Sequence, residues 1–383
     1  MYVLDVVENK CNSEYLATFN VSITDAVSKS MAPFLRGTFQ REQIRVGVCE
    51  ATLAILDGEI YVRKGSRRRA QNTLLLSHPE FLVSGLRNLQ HTKERKGISF
   101  PNVEFNIQTM DNPTCRYPPP FKLADGPRKA PLDPIAGLLH HSFCSPKLCN
   151  GTLLLPISYN QEVQALEKSR QEDRSAAAIP WAKKRNIAFW RGSKKSKLIE
   201  LAYFGWTGKL APRAKVVAMS KHSKLLDAAF GAVPWREFMS HKYILAISGN
   251  TYASHFKHAL RSGACIIRQE ERMYEWFEPF LQPWVHYVPV NWDLSNLEQQ
   301  ILWAMNHESE AQNIAVRARK AGEILFEPNS MACYTYVALK TMHAFMGYTL
   351  SHDVDEFQPL LRVCKRRVGM KCLHKLPGKL EFR

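Results

Sequence analysis

The sequence predicts an α/β protein of more than one domain, and three observations predict it. At 383 residues the chain exceeds the ~250–300 residues beyond which a single hydrophobic core stops growing. Its second half alternates short apolar runs with helix-length amphipathic stretches, the pattern of a parallel sheet covered on both faces. Its composition, 45% hydrophobic and 23% charged, is that of an ordinary globular chain. No run approaches the roughly 20 consecutive apolar residues of a membrane span. The expected domains are 1–182, 183–345, and a basic C-terminal segment 346–383 placed to pack back on the first. The first boundary falls where a helix-like stretch (161–178) ends at Pro180.

In the first half, residues 51–62 read as a hairpin, because Asp57-Gly58 supplies the positive φ angles of a tight primed turn. Ser77-His78-Pro79-Glu80 is a capping box opening a helix with Leu82, Leu86 and Leu89 on one face. Val103–Ile107 reads as a strand running into a polar loop that contains Asp111, and seven prolines across 112–134 predict an irregular crossing loop. In the second half, strands are expected at 186–190, 215–219, 243–247, 264–267 and 286–290. Helices are expected in KLIELAYFGW (197–206), from the Ser248-Gly249-Asn250 loop to Gly263, over Met273–Leu281, and over 309–325. A further helix, capped by Ser295-Asn296-Leu297-Glu298, carries Leu297, Ile301, Ala304 and Met305 at core spacing.

The net charge of +17, from 52 Lys plus Arg against 35 Asp plus Glu, favours anionic partners. The runs Arg67-Arg68-Arg69, Lys183-Lys184-Arg185 and Lys365-Arg366-Arg367 read as solvated loop charge. Nucleic acid is disfavoured because no zinc-finger spacing, aromatic sheet signature or basic zipper accompanies them. Among nine cysteines, Cys144 and Cys149 follow His140-His141, but no second pair repeats the spacing of a zinc site, so a disulfide-tied or buried pair is expected. The sequons Asn20-Val21-Ser22 and Asn150-Gly151-Thr152 suit a secretory protein. The opening MYVLDVVENKCNSEYLA shows no basic stretch followed by an apolar core, so no signal peptide is seen in this chain.

In a parallel sheet, ligands sit beyond the carboxyl ends of the strands, where loops meet helix N-termini. Two expected strand ends carry suitable chemistry. Arg191-Gly192-Ser193 combines a guanidinium, a glycine permitting close approach, and a hydroxyl. Gly249-Asn250-Thr251 precedes a helix that begins with His255 and Lys257. Free N–H groups and partial positive charge at such helix starts suit a pyrophosphate. Neither loop matches a phosphate loop or a dinucleotide fingerprint. On the residues alone, Arg191 as a surface ion pair, and Gly192 and Gly249 as turn glycines, remain open alternatives.

The stretches FWRGS (189–193), LLDAAF (225–230), KYILAISGNTYASHFKHALRSGA (242–264) and EWFEPFLQPWVHYVPVNWDLSNLEQQILWAMN (275–306) resemble, in order and spacing, the sugar-nucleotide-binding half of glycosyltransferase family 90. That family includes capsule-associated xylosyltransferases and protein O-glucosyltransferases. The resemblance implies a GT-B-like architecture, two Rossmann-like domains facing across a cleft, with the donor on the C-terminal one. It implies inverting transfer of glucose or xylose from UDP-glucose or UDP-xylose to a hydroxyl of a protein or glycan acceptor. Asp111 in Asp111-Asn112-Pro113 matches the family's proposed catalytic base.

The donor would be bound by Arg191, Gly192 and Ser193 and by the loop Gly249, Asn250, Thr251, Tyr252, Ala253, Ser254, His255, with Lys257 beyond it. His255 stands where the family commonly has Arg. It is expected either to be protonated by the bound diphosphate or to be relieved by Lys257 or Arg261. His286 and Tyr287 sit on an apolar strand, where a structural role weighs as much as chemistry, and Trp276, Phe277 and Phe280 are expected to pack. The resemblance implies no permanently bound cofactor, a UDP-sugar co-substrate, and the lumen of the endoplasmic reticulum or Golgi. No clear Asp-x-Asp metal clamp on the donor is visible. Two alternatives stand beside this reading: a degenerate family member that binds without turnover, and, on charge alone, a nucleic-acid-binding protein.

Overall fold

The computed structural model describes residues 11–12, 15, 17–31, 51–63, 100–108, 137–139, 143–144, 152–154, 156, 179–194, 206–249, 252–271, 273–350 and 357–359. Along the chain these form α1 (Ile23–Met31), β1 (Ala51–Leu56), β2 (Glu59–Arg63), β3 (Val103–Gln108), β4 (Gly137–Leu139), β5 (Phe143–Cys144), β6 (Thr152–Leu154), β7 (Arg185–Gly192) and α2 (Pro212–Ser220). There follow β8 (Leu226–Phe230), α3 (Trp235–Met239), β9 (His241–Ala246), α4 (Phe256–Ala259), β10 (Cys265–Gln269), β11 (Met273–Tyr274), β12 (Val288–Val290), α5 (Leu297–Asn306), α6 (Glu308–Leu325), α7 (Pro328–Ala344) and β13 (Phe357–Pro359). The chain falls into two compact units: residues 1–161 with 328–383, and residues 162–327. Helix α7, inside the range expected for the C-terminal domain, therefore groups with the first unit. The expected helices at Ser77 and 161–178, the proline-rich loop and Asp111 lie outside the described residues.

The second unit holds a five-stranded sheet in the order β12-β10-β9-β7-β8, every pairing parallel. Read from β8, the chain order is 2-1-3-4-5, the doubly-wound Rossmann-like arrangement whose direction reverses between its first and third strands. Here those strands are β7 and β9. Central β9, His-Lys-Tyr-Ile-Leu-Ala, is buried at every position, as expected of a parallel strand covered on both faces. Helix α6 covers the sheet through Ala311, Ile314, Ala315, Ala318, Ala321 and Leu325, spaced three and four apart.

Two expected elements are corrected. Lys215–Met219 is not a strand: it lies within α2, which starts with Pro212 in its first turn and buries Pro212, Arg213 and Val216. Proline is pre-organised for that position, and the fourth-residue spacing from Pro212 to Val216 overrides the β-branched pair Val216-Val217. The strand comes later, at β8. Met273–Leu281 is not a helix but the short strand β11 and a 3₁₀ turn, Glu278–Phe280. There the Glu275 N–H bonds the Glu278 side chain at 2.8 Å, and Glu278 also pairs with buried Arg268. These tertiary bonds replace helical ones. Trp276, Phe277 and Phe280 are buried, as expected.

Smaller differences follow the same logic. The helix expected to run to Gly263 shortens to the single turn α4, and Gly263 takes φ +63°. Strand β12 starts at Val288, leaving His286 in the preceding turn. Helix α5 is entered through Asn296 without a side-chain cap. Asn296 instead accepts from the Asn291 N–H at 2.8 Å.

In the first unit a mixed sheet runs β13-β2-β1-β3-β4-β6. Strands β13, β2, β1 and β3 pair antiparallel, while β3, β4 and β6 are parallel. The β1–β2 hairpin turns at Asp57 (φ 49°) and Gly58 (φ 79°), the doubly positive pair of a primed turn. Strand β13 adds an edge to β2, and Phe357 and Leu350 join Ala54 and Leu56 in one apolar cluster. A disulfide between Cys11 and Cys333 ties the N-terminal segment to α7 across 322 residues of sequence.

Candidate functional site

The loops after β7 and β9 leave the sheet at its switch point, where a doubly-wound sheet opens a crevice beyond its strand ends. One guanidinium reaches both. Ala211 is extended (φ −61°, ψ 154°) ahead of Pro212, as the residue before a proline prefers, and this starts α2 so that Arg213 occupies its first turn. Arg213 is 8% exposed. Its Nη1 donates to the Ser193 carbonyl at 3.3 Å and to Ser193 Oγ at 3.2 Å, and the guanidinium lies 5.8 Å from the Trp190 ring centroid.

The glycines make this approach possible. A Cβ on Gly249 would stand 2.7 Å from Arg213 Nη2. A Cβ on Gly192 would stand 2.7 Å from the ring of Trp190, two residues back on the same face of β7. Arg213 Nε is buried without a hydrogen-bond partner. Among the described residues the guanidinium forms no ion pair. Burial lowers its pKa, and the charge of Glu271 counters part of that.

Below the β9 loop, side chains from the end of β10 hold its two ends. The Ser248 N–H donates to Gln269 Oε1 at 3.0 Å, and Gln269 donates to the Trp292 carbonyl at 2.5 Å. The Glu271 carboxylate accepts from Ser248 Oγ at 2.7 Å and from the Ala253 N–H at 3.1 Å. Burial pushes the acid of Glu271 up to about 8, against the pull of Arg268 and these bonds.

The residues expected at the site divide sharply. Ser193 and Gly249 touch Arg213, and Gly192 lies at the same strand end. Tyr252 and Ala253 are buried and Ser254 exposed on the loop, which the Gly249 N–H closes onto the Tyr252 carbonyl at 3.3 Å. Asn250 and Thr251 lie outside the described residues. Arg191 turns away. It pairs with Asp227 at 2.7 Å, donates to the carbonyls of Trp190 and Asp227, and lies 4.4 Å above the Phe189 ring. That is the ion-pair alternative weighed for it. Lys257 is buried against Glu275 at 2.8 Å.

His255 is half-buried, its Nε2 bonded to the Leu245 carbonyl at 2.9 Å. Burial, with Arg213 nearby, pushes its pKa down to about 4, so the ring is neutral near pH 7 and donates that bond. Among the described residues, both expected sources of relief have other partners. Lys257 is paired, and Arg261 is 4% exposed, against His258 and over the Phe326 ring. Arg213 is the cation that stands there. His286 accepts from the Gln282 N–H at 3.0 Å and packs as structure, buried at 7% exposure.

Sequence reading missed Arg213 and Glu271. Ala211-Pro212-Arg213 is a helix-start signal, hidden by reading the following residues as a strand. Glu271 carries no local signal, because its partners lie 18 and 23 residues away. Among the described residues no cluster of three His, Cys, Asp or Glu side chains could hold a metal ion, and no helix is long and apolar enough to cross a membrane.

A doubly-wound parallel sheet in the order 2-1-3-4-5 defines a Rossmann-like class of fold. The model of glycosyl transferase family 90 matches residues 158–371, more than half of the chain, and the chain belongs to that family. Protein O-glucosyltransferase 1 of Mus musculus is 27% identical over 209 residues, 50% of this chain and 50% of the relative. Protein O-glucosyltransferase 2 of Danio rerio is 32% identical over 159 residues, 40% of this chain and 32% of the relative. Protein O-glucosyltransferase 3 of Rattus norvegicus is 26% identical over 260 residues, 63% of this chain and 47% of the relative. The chain thus spans about half the length, or less, of these curated relatives.

Proposed function

We propose that this protein transfers glucose or xylose from a UDP-sugar to a hydroxyl of a protein or glycan, with inversion at the anomeric carbon, in a GT-B-like arrangement. The observation that carries the proposal is Arg213. It is a permanently charged group, held by neutral oxygens where the β7 and β9 loops meet the start of α2. A diphosphate placed there receives the guanidinium and the free N–H groups of the helix N-terminus. As the acceptor oxygen bonds to the anomeric carbon, the bond from that carbon to the β-phosphate oxygen breaks, and Arg213 stabilises the charge gathering on UDP. Asp111 takes the acceptor proton. The names of the relatives favour glucose and a protein hydroxyl. The Cys11–Cys333 bridge suits an oxidising compartment such as the secretory lumen.

The test is UDP release from a panel of UDP-sugars, with and without Mn²⁺. Release from UDP-glucose or UDP-xylose, abolished in Asp111→Asn, is expected; no release from any donor by folded protein refutes turnover. The second reading, binding without turnover, rests on the pairing of Arg191 and Lys257 with carboxylates and the neutral ring of His255. UDP binding without release would favour it.

A further inference from the structure

We propose that Glu271 is a positioning residue for the donor, stapling the β9 loop into its binding shape; the proposal rests on the reading of Arg213 and this loop as the diphosphate site. The two oxygens of one buried carboxylate hold the two ends of the loop, Ser248 through its hydroxyl and Ala253 through its backbone N–H. Residues 249–252 lie between them, and within that span Gly249 stands against Arg213. Gln269 fixes the Ser248 backbone independently, so the carboxylate sets the span of the loop rather than its attachment to the sheet. A loop whose two ends are already held loses less conformational freedom when a ligand arrives, which favours binding. Glu271 is 4% exposed and acts through the loop.

Glutamine is the discriminating substitution. Its carbonyl oxygen can accept from the Ala253 N–H while its amide donates to Ser248 Oγ, which keeps both contacts with the Ser248 bond reversed in direction. UDP binding by calorimetry, thermal unfolding and donor kinetics are measured for the wild-type chain, Glu271→Ala, Glu271→Gln and Ser248→Ala. Glu271→Ala is expected to weaken UDP binding at least ~10-fold and to raise KM for the UDP-sugar by a similar factor, with kcat within about threefold. Glu271→Gln is expected to restore UDP binding to within about threefold of wild type. Wild-type affinity in folded Glu271→Ala overturns the proposal, as does failure of Gln to rescue. If Glu271→Ala does not fold, Ser248→Ala decides. It cuts one bond, a loss of roughly 3–10-fold is expected, and unchanged affinity overturns the proposal. A wild-type chain that does not bind UDP overturns the donor-site reading itself and this assignment with it.

Discussion

Among the described residues of the second unit, buried cations are held in different ways, and three of them make the comparison. Arg268 and Lys257 are each matched by a carboxylate, Glu278 and Glu275, with all four side chains at 7% exposure or less. Arg213 is about as deeply buried, yet its hydrogen bonds go to the neutral oxygens of Ser193. The matched pairs shape the turn after β10. The unmatched guanidinium sits where a Rossmann-like sheet receives its ligand. Burying a charge is costly unless it is compensated; on the proposed function, the donor diphosphate completes that compensation at Arg213, beyond the part supplied by Glu271.

The contrast separates binding from chemistry and can be broken on either side. Asp111→Asn removes the proposed base and leaves Arg213 in place. It is expected to lower kcat by ~10²–10⁴-fold while the calorimetric UDP affinity stays within about threefold of wild type. Lost UDP affinity would place Asp111 among the binding groups instead. Lys257→Ala removes the ammonium paired with buried Glu275 and is expected to destabilise the second unit by about 3–5 kcal/mol, read as a lowered midpoint in urea unfolding. If Lys257→Ala weakens UDP binding more than it weakens the fold, the division between matched and unmatched cations fails.

Gly249→Ala brings a methyl against Arg213 Nη2, at 2.7 Å. Shifting the guanidinium off its rotamer costs about 0.5–1.5 kcal/mol, so UDP affinity is expected to fall by roughly 2–10-fold. Unaltered affinity would mean that the guanidinium position does not matter. The remaining prediction concerns pH. His255 and His286 are pushed down to about 4 and His258 to about 3, in each case chiefly by burial. Depressed pKa values mean that the unfolded chain binds protons first as pH falls. The stability from these neutral rings is therefore full above pH ~6.5 and is lost as pH drops toward 4. A thermal midpoint that stays flat from pH 7 to pH 4.5 would contradict this.

Much of the sheet was legible because its strands are continuous apolar runs. Tyr-Ile-Leu-Ala in β9 and Cys-Ile-Ile in β10 are buried at every position, and such runs can be read without knowing their neighbours. The hairpin at Asp57-Gly58 was legible from turn chemistry alone. What failed was what tertiary bonds decide. Val216-Val217 carries β-propensity, but Pro212 starts a helix there, and the Glu275–Glu278 segment follows the partners of its buried charges. At the strand ends, the loops could be read from the sequence, while the partners of their side chains could not. The loops at 191–193 and 249–255 are strand ends, readable from apolar run and glycine. Strand alternation sends Arg191 to Asp227, and the start of α2 brings Arg213 to Ser193 and Gly249.

The most direct test is the UDP affinity of Arg213→Ala beside that of the wild-type chain, at one ionic strength, with unfolding measured on both. Losing a hydrogen-bonded charge contact is worth about 1.5–3 kcal/mol, so binding roughly 10–150-fold weaker is expected from a variant that remains folded. Equal affinity in a folded Arg213→Ala chain would contradict the role given to the buried cation at the switch point.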